Sequence, residues 1–127
     1  MSTTKEIGDQ GEEAAVQYLK SRGYRILERN YKIKIGTRMM GELDIISQKG
    51  RDLVFVEVKT RLGQAGRYSP FDNITDQKRK KLLKLARFYI KTQKIPLDSP
   101  HQIDVIAVEM DFDKPTKIEH LEREVYC

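Results

Sequence analysis

Hydrophobic and polar residues alternate with period two in two neighbouring segments, residues 41–46 and 54–59. Because successive side chains of a β-strand point to opposite faces, this spacing predicts two strands. In the first segment the apolar face is predicted to hold Leu43 and Ile45. In the second segment three valines share one face, while Glu57 lies on the other. A charged residue thus falls where a packed sheet prefers an apolar one.

A short connection that contains Gly and Asp, residues 49–52, predicts that the two strands form an antiparallel hairpin. A four-residue loop pairs Ile46 with Phe55 and Asp44 with Glu57. In that register the Cβ atoms of the two acids lie about 5 Å apart. Two carboxylates at this separation repel each other unless a positive charge lies between them. A divalent cation with oxygen ligands meets that need.

Lys59 adds a fixed positive charge on the same strand face as Glu57, two residues further along the chain. Charged residues on one strand face usually indicate a face exposed to water, and for Glu57 and Lys59 alone this is the simpler interpretation. Phe55 and Ile46 share the face with them, however, which indicates that the face is partly covered. With Asp44 opposite, the pattern favours a cleft that holds catalytic or metal-binding residues.

Apolar residues at three- and four-residue spacing predict two helices. The first covers residues 4–22, closes at Gly23 and places Glu12 on its buried side. Its stripe consists of Gly8, Gly11, Glu12, Ala15, Tyr18 and Leu19. The second helix begins with Thr75 as its N-cap and ends before Pro96. Its apolar stripe consists of Leu82, Leu85, Ala86 and Tyr89.

Weaker signals complete the predicted order of elements. Residues 24–34 predict a first strand followed by a loop to Gly41, and residues 103–108 predict a strand after the second helix. Residues 61–73 contain Gly, Ser and Pro and predict a loop, whereas residues 117–126 predict a terminal strand or tail. The order α-β-β-β-α-β, with an added terminal element, indicates an α/β fold with a mixed sheet flanked by helices.

Composition adds a concentration of positive charge to this picture. The formal net charge is +5, from 24 Lys and Arg against 19 Asp and Glu. The stretch from residue 78 to residue 94 has no acid and eight basic residues: Lys78, Arg79, Lys80, Lys81, Lys84, Arg87, Lys91 and Lys94. Such a run is often only a solvated helix face. Without a compensating acid it favours a surface that binds nucleic-acid phosphates.

Length and residue types bound the class of protein. A chain of 127 residues is predicted to form one domain, residues 1–127, with a core that needs no disulfides. Its one cysteine, Cys127, excludes an internal disulfide, and because His101 and His120 are isolated no zinc site is predicted. No run of 18 apolar residues and no apolar signal core at residues 1–6 occur. We therefore expect a cytoplasmic protein without a membrane partner.

The acidic residues resemble a known nuclease pattern. Asp44, followed by Glu57-Val58-Lys59 on the neighbouring strand, is similar to the D…ExK core of the PD-(D/E)xK nuclease superfamily. A wider resemblance, to the YraN-like family of small bacterial proteins, covers nearly the whole chain. It rests on Gly11-Glu12, Ala15, Tyr18-Leu19, Asn30-Tyr31, Gly41-Glu42-Leu43-Asp44, residues 54–61, Thr75, Lys78 and Asp104-Val105. The chain departs from the family in a longer stretch at residues 35–40.

The resemblance implies the restriction-endonuclease-like fold and a likeness to the archaeal Holliday junction resolvases. It implies that Glu12, from the first helix, joins the metal site. It also implies that Asp44 and Glu57 bind Mg²⁺ or Mn²⁺ directly, with the backbone carbonyl of Val58 completing the coordination. Lys59 would orient the attacking water and stabilise the charge that develops on the phosphoryl group.

We therefore interpret the chain as a metal-dependent endonuclease that hydrolyses phosphodiester bonds in DNA, including branched or repair-intermediate DNA. The predicted nucleic-acid contacts are Lys78, Arg79, Lys80, Lys84, Arg87, Lys91 and Arg61. One alternative is a non-catalytic nucleic-acid-binding module of a repair or recombination complex, and another is an RNA nuclease. A homodimer stays open. Asp104 suits a structural hydrogen-bonding role at least as well as a chemical one.

Overall fold

Two helices and five strands make up the part of the chain that the structure describes. The structure, a computed structural model, describes residues 3–62, 75–111 and 114–126, so most of the predicted loop at 61–73 and Cys127 lie outside the described residues. The elements are α1 (Thr4–Ser21), β1 (Arg25–Ile35), β2 (Arg38–Lys49), β3 (Asp52–Leu62), α2 (Asp76–Thr92), β4 (His101–Asp111) and β5 (Lys114–Tyr126). This order confirms the predicted α-β-β-β-α-β core, and the terminal element is a strand.

The five strands form one mixed sheet in the order β1-β2-β3-β4-β5. Neighbouring strands are antiparallel except β3 and β4, which run parallel. Parallel neighbours need a long crossover connection, and α2 lies within the one between β3 and β4. The architecture is the predicted α/β fold and is consistent with the restriction-endonuclease-like fold.

The helices cover opposite faces of the sheet, each over its own apolar cluster. α1 packs on the face of β3 that carries Val54 and Val56. α2 packs on the face that carries Phe55. The stripe predicted for α2 is buried, and Ile90 joins Leu82, Leu85, Ala86 and Tyr89. The alternation of β3 thus directs its valines to one helix and Phe55 to the other.

Both helices have a threonine as their N-cap. Thr75 Oγ1 accepts a hydrogen bond from the backbone N–H of Lys78 at 3.1 Å, which confirms the predicted N-cap of α2. Thr3 caps α1 in the same way, through the N–H of Glu6 at 3.1 Å. Within the described ranges, neither helix is long and apolar enough to cross a membrane. The Thr75 cap fixes which residues occupy the first turn of α2.

The chain between β1 and β2 is a tight turn, not the predicted loop that reaches Gly41. Strand pairing continues to Ile35 and Arg38, so only Gly36 and Thr37 form the turn. Gly36 has a φ of +63°, in the left-handed region that suits a two-residue hairpin turn. Residues 35–40 therefore belong to the hairpin, and strand pairing satisfies most of their backbone groups.

One prediction about β2 is wrong, because Leu43 and Ile45 lie on opposite faces of the sheet. Leu43 belongs to the cluster under α2, whereas Ile45 belongs to the cluster under α1. Leu43 pairs with Tyr31 of β1, and the residue before Tyr31, Asn30, has a φ of +50°. The regular pleat is therefore interrupted at this level, and Asp44 lies at the interruption.

Gly11 lets α1 approach β3 closely, since a Cβ atom built on it would lie 2.1 Å from Thr60 Oγ1. We expect Gly11→Ala to lower the free energy of unfolding by about 1–3 kcal/mol, the usual cost of overpacking. Gly8 provides the control, because a Cβ there would meet no atom within 4 Å. Gly8→Ala should raise the stability by about 0.5–1 kcal/mol through helix propensity. Urea unfolding measures both, and equal stabilities would contradict the close approach.

Candidate active site

The hairpin of β2 and β3 keeps the predicted register as far as Ile45, which pairs with Val56. Asp44 does not continue this ladder. Its Oδ2 instead accepts a hydrogen bond from the backbone N–H of Val58 at 2.9 Å. A side-chain oxygen of β2 thus takes the place of a backbone carbonyl as the partner of β3, and the two strands separate here.

A cavity of about 600 Å³ lies where β2 and β3 separate. Its walls include Asp44 from β2, Glu57 and Lys59 from β3, Glu12 from α1 and Lys78 from α2. The structure therefore brings the four predicted catalytic residues into one cleft, and each helix reaches it from its own side of the sheet. A larger cavity, of about 770 Å³, lies at the opposite end of β3 and β4, away from these carboxylates.

Glu12 lines the cleft with a carboxyl group that is only partly satisfied. Its Oε1 is buried and has no hydrogen-bond partner among the described residues. Burial raises the pKa of this carboxyl, while the charge of Arg29 and a hydrogen bond with Asn30 oppose the rise. A buried carboxylate oxygen without a partner is unfavourable, and a bound cation would relieve it.

Asp44 is the most perturbed acid of the cleft. Burial raises its pKa to about 7, and the neighbouring charge of Glu57 adds to the rise. The hydrogen bond from the Val58 N–H opposes it by favouring the charged form, while Glu12 raises the pKa further. The carboxyl groups of Asp44 and Glu57 lie within hydrogen-bond reach of each other, so the two acids are neighbours in spite of the interrupted ladder.

Lys78 lies inside the cleft, whereas its predicted place was on the outer phosphate-binding surface. Its Nζ lies 2.8 Å from Glu57 Oε1, and the Glu57 side chain is only 11% exposed. Lys78 is in the first turn of α2, three residues after Thr75, and shares a stripe with Leu82 and Leu85 by four- and seven-residue spacing. This spacing could have predicted from the sequence that Lys78 faces the sheet. The run of basic residues around it favoured the phosphate-binding interpretation instead.

Lys59 and Lys78 face the carboxylates together and affect each other's pKa. Burial and the neighbouring Lys78 lower the pKa of Lys59. Burial also disfavours the charge on Lys78, but hydrogen bonds with Glu57 and Lys59 outweigh it and raise its pKa. Lys78 is therefore the charged partner of Glu57, and Lys59 holds its proton less firmly.

The remaining predicted nucleic-acid contacts fall into two groups. Four are exposed on the outer face of α2, and these are Lys80, Lys84, Arg87 and Lys91. Arg61 on β3 and Arg79 on α2 are half-buried, and Arg79 Nη1 lies 3.4 Å from Asp76 Oδ1. The exposed group is therefore the better placed of the two to meet a phosphate backbone.

A second polar cluster joins α1, β4 and β5 away from the cleft. Oδ2 of the buried Asp104 lies 2.7 Å from His120 Nε2, and His120 Nδ1 lies 3.1 Å from the Tyr18 hydroxyl. Asp104 Oδ1 accepts hydrogen bonds from Gln102 Nε2 at 2.8 Å and from the Arg123 N–H at 2.9 Å. His120 is thus not isolated, contrary to the prediction, and Asp104 has a structural hydrogen-bonding role.

The same cluster includes a group of metal-ligating residue types. One ligand atom each of Asp104, His120 and Glu122 lie within 4.8 Å of one another. Both oxygens of Asp104 already accept hydrogen bonds, however, whereas Glu12 Oε1 in the cleft has no partner in the described ranges. The cleft therefore offers a buried carboxylate oxygen without a partner in the described residues, which Asp104 of the second cluster does not.

Comparison with known proteins identifies the family. Residues 11–108 match the sequence profile described as "Uncharacterised protein family UPF0102". The chain belongs to this family. UPF0102 proteins of Geotalea uraniireducens, Clostridioides difficile and Thermotoga maritima are 40%, 42% and 39% identical over 117, 104 and 113 residues. These alignments cover 92%, 82% and 89% of this chain and 87%, 85% and 91% of the UPF0102 relatives. The predicted YraN-like resemblance is confirmed.

Two solved structures resemble this UPF0102 chain over most of its length. One is an FdxN element excision controlling factor protein from Anabaena variabilis, with a TM-score of 0.45 and 15% identity, covering 87% of this chain and 98% of that one. The other is Pyrococcus furiosus SfsA in complex with Ca²⁺, with a TM-score of 0.34 and 20% identity, covering 91% and 60%. These likenesses are too distant to carry chemistry into the cleft.

The raised pKa of Asp44 makes cation binding depend on pH. Between the ordinary carboxyl value of 3.8 and about 7, the folded protein holds a proton that a cation must displace. We expect the apparent affinity for Mn²⁺ to rise by up to about tenfold per pH unit to about pH 7 and to level off above it. Calorimetric titration across this range measures the slope.

Variants of the acidic residues test whether the pH dependence of Mn²⁺ affinity comes from the cleft. Asp44→Asn should bind Mn²⁺ weakly at every pH and lose the slope, and Glu57→Gln should lose most of the binding heat. Asp98→Asn is the control, because Asp98 is exposed and lies away from the cleft. A parent protein whose Mn²⁺ affinity does not change with pH would contradict a protonated Asp44.

Proposed function

We propose that this protein is a Mg²⁺- or Mn²⁺-dependent nuclease that hydrolyses phosphodiester bonds in DNA. The observation that carries the proposal is the convergence of Glu12, Asp44 and Glu57 with Lys59 and Lys78 in one cleft. Carboxylate oxygens are the ligands that hard divalent cations prefer, and cationic side chains beside them suit an anionic phosphate. The family is described as uncharacterised, so the support comes from the cleft itself.

The residues of the cleft fit a divalent cation. The unpartnered oxygen of Glu12 and the mutual repulsion of Asp44 and Glu57 would both be relieved by one. Asp44 and Glu57 would bind it directly, and Glu12 would bind it or a water from the helix side. The carbonyl of Val58, which points to the same side of the strand as its N–H, would complete the set. When bound, the cation supplies Lewis-acid polarisation of the phosphate.

The two lysines have different roles in this proposal. Lys59, on the strand, orients the attacking water and stabilises the negative charge that develops on the phosphoryl group. Lys78 neutralises Glu57 while the cation is absent. With Glu57 bound to a cation, Lys78 would be free to contact the substrate phosphate. The hydrogen bond from the Val58 N–H keeps Asp44 in position throughout.

DNA approaches the cleft along α2 in this proposal. The exposed cations Lys80, Lys84, Arg87 and Lys91 follow Lys78 on the helix. At a rise of 1.5 Å per residue, Lys91 lies about 20 Å along the helix axis from Lys78, a length that spans several phosphates. Branched or repair-intermediate DNA in the cytoplasm is the substrate we favour. The carboxylates do not themselves distinguish DNA from RNA.

A second candidate is a nucleic-acid-binding module without catalysis. The ion pair of Lys78 with Glu57 favours it, because a lysine already neutralises one of the proposed metal ligands. The two functions share the α2 surface and differ in one measurable respect, which is cation-dependent cleavage.

Cleavage of labelled duplex and four-way-junction DNA with Mg²⁺ or Mn²⁺ tests the nuclease. Lys59→Met keeps the apolar stem and removes the charge, and Asp44→Asn removes a charged ligand. Each should lower the rate by about 10² or more, the effect of losing a comparable electrostatic group. Lys59→Met should leave Mn²⁺ affinity nearly unchanged, because Lys59 is not a ligand. Cleavage activity that is the same in the parent and both variants would come from a contaminant. The non-catalytic binding module would then be the better-supported function.

DNA binding should depend on α2 separately from the chemistry. Changing Lys80, Lys84 and Arg87 together to Glu should weaken binding at least about tenfold and flatten its salt dependence by about three units. Asp44→Asn should bind DNA as well as the parent does. The control changes the exposed Lys20, Lys32 and Lys114, which lie outside α2, to Glu. An equal loss in both triple variants would show that net charge, not α2, governs binding.

A further inference from the structure

An apolar groove of about 350 Å³ lies between α2 and the tip of the β1–β2 hairpin. Its apolar residues are Ile33, Ile35, Met40, Leu85 and Phe88, and its rim carries Lys80, Lys81 and Lys84. No acidic residue of the described part of the chain lines it. Ile35 is 54% exposed, so one wall is open to solvent. An apolar surface with a purely cationic rim indicates a binding site for an anionic ligand with an apolar face.

The groove forms where the β1–β2 hairpin continues past the contact between Gly41 and α2. A Cβ atom built on Gly41 would lie 2.8 Å from Leu85 Cδ1, so α2 rests directly on β2 at this residue. The hairpin continues beyond that contact to the turn at Gly36, and its tip exposes Ile35 and Met39. Ile33, Ile35 and Met40 of this hairpin form the wall of the groove that faces α2.

The groove adjoins the proposed active site along α2. Lys78, which contacts Glu57, lies three residues before Lys81 and seven before Leu85, so all three share one side of the helix. At 1.5 Å per residue they lie about 5 and 10 Å further along the axis. A strand with a phosphate in the cleft therefore reaches the groove within about two or three nucleotides.

We propose that this groove binds an unpaired nucleotide of the DNA substrate, with the base against Phe88 and Met40 and the flanking phosphates on Lys81 and Lys84. The inference rests on the proposed nuclease function and narrows its substrate to DNA with a single-stranded region beside the scissile bond. A paired base has its faces covered by its own stack, so only an unpaired base offers one to Phe88. An acidic amphipathic protein segment would match the same charges, but continuity with the cleft favours the nucleic acid.

A fluorescent side chain in the groove tests this directly. The chain contains no tryptophan, so Phe88→Trp gives a single indole. The titrations are made in EDTA, which prevents cleavage. A single strand of about ten thymidines should quench the indole fluorescence by base stacking, whereas blunt duplex DNA at the same bound fraction should not. Gln17→Trp is the control, because Gln17 is exposed on α1, which covers the other face of the sheet from α2. Equal quenching by both DNAs, or by neither, overturns the inference.

A second variant tests the groove without changing Phe88. Ile35→Glu puts a negative charge on the exposed wall and leaves the core and the cleft intact. Affinity for a duplex with a single-stranded overhang should fall about tenfold, and affinity for blunt duplex less than about twofold. Gln17→Glu, at an exposed position of α1, is the control with the same charge change. Unchanged affinity for the overhang in Ile35→Glu overturns the inference and favours a protein segment as the occupant.

The outcomes that overturn the groove proposal differ from those that overturn the nuclease proposal. Cleavage that depends on Asp44, without quenching of Phe88→Trp, would overturn the groove and leave the nuclease. Quenching by single-stranded DNA alone, without any cation-dependent cleavage, would support the groove and overturn the nuclease.

Discussion

The hydrogen bond from the Val58 N–H to the Asp44 carboxylate is the contact on which the rest of the site depends. It replaces the regular pairing of β2 and β3 beyond Ile45, so the sheet opens at this point. Because the opening reaches both faces, α1 contributes Glu12 and α2 contributes Lys78 to the same cleft. A sheet paired along its full length would keep side chains from the two helices apart. One interrupted ladder thus allows a layered fold to build a single site.

The cleft holds charged side chains whose burial is unfavourable unless groups of opposite charge lie beside them. Burial and the charge of Glu57 raise the pKa of Asp44 to about 7, and the lysine from α2 offsets part of the repulsion through its contact with Glu57. Glu12 adds a buried oxygen that the described residues leave without a partner. Perturbed carboxylates that gather around one cavity are typical of functional sites. A divalent cation would relieve the repulsion between Asp44 and Glu57 and would offer a partner to the buried oxygen of Glu12.

Elements whose residues follow a regular period were predictable from the sequence, and contacts in which a side chain departs from that period were not. The stripe of α2 depends on local helix geometry alone, so Leu85 lies in the core as predicted. The reversal of faces along β2 was not predictable from the alternation, because the pleat is interrupted where Asn30 has a φ of +50° and Asp44 bonds to the next strand. Lys78 was predicted on the phosphate-binding surface, because a run of basic residues does not reveal which of them faces the sheet. Asp104 and His120 lie on different strands, and nothing local connects them.

Crystals grown with Mn²⁺ would locate the cation through its anomalous scattering, and this is the most direct test that the opening between β2 and β3 is a metal site. We predict a peak about 2.1 Å from carboxylate oxygens of both Asp44 and Glu57, with Lys78 displaced from Glu57. A peak between Asp104 and Glu122 with an empty cleft, or Lys78 unmoved and no peak at all, would contradict this assignment.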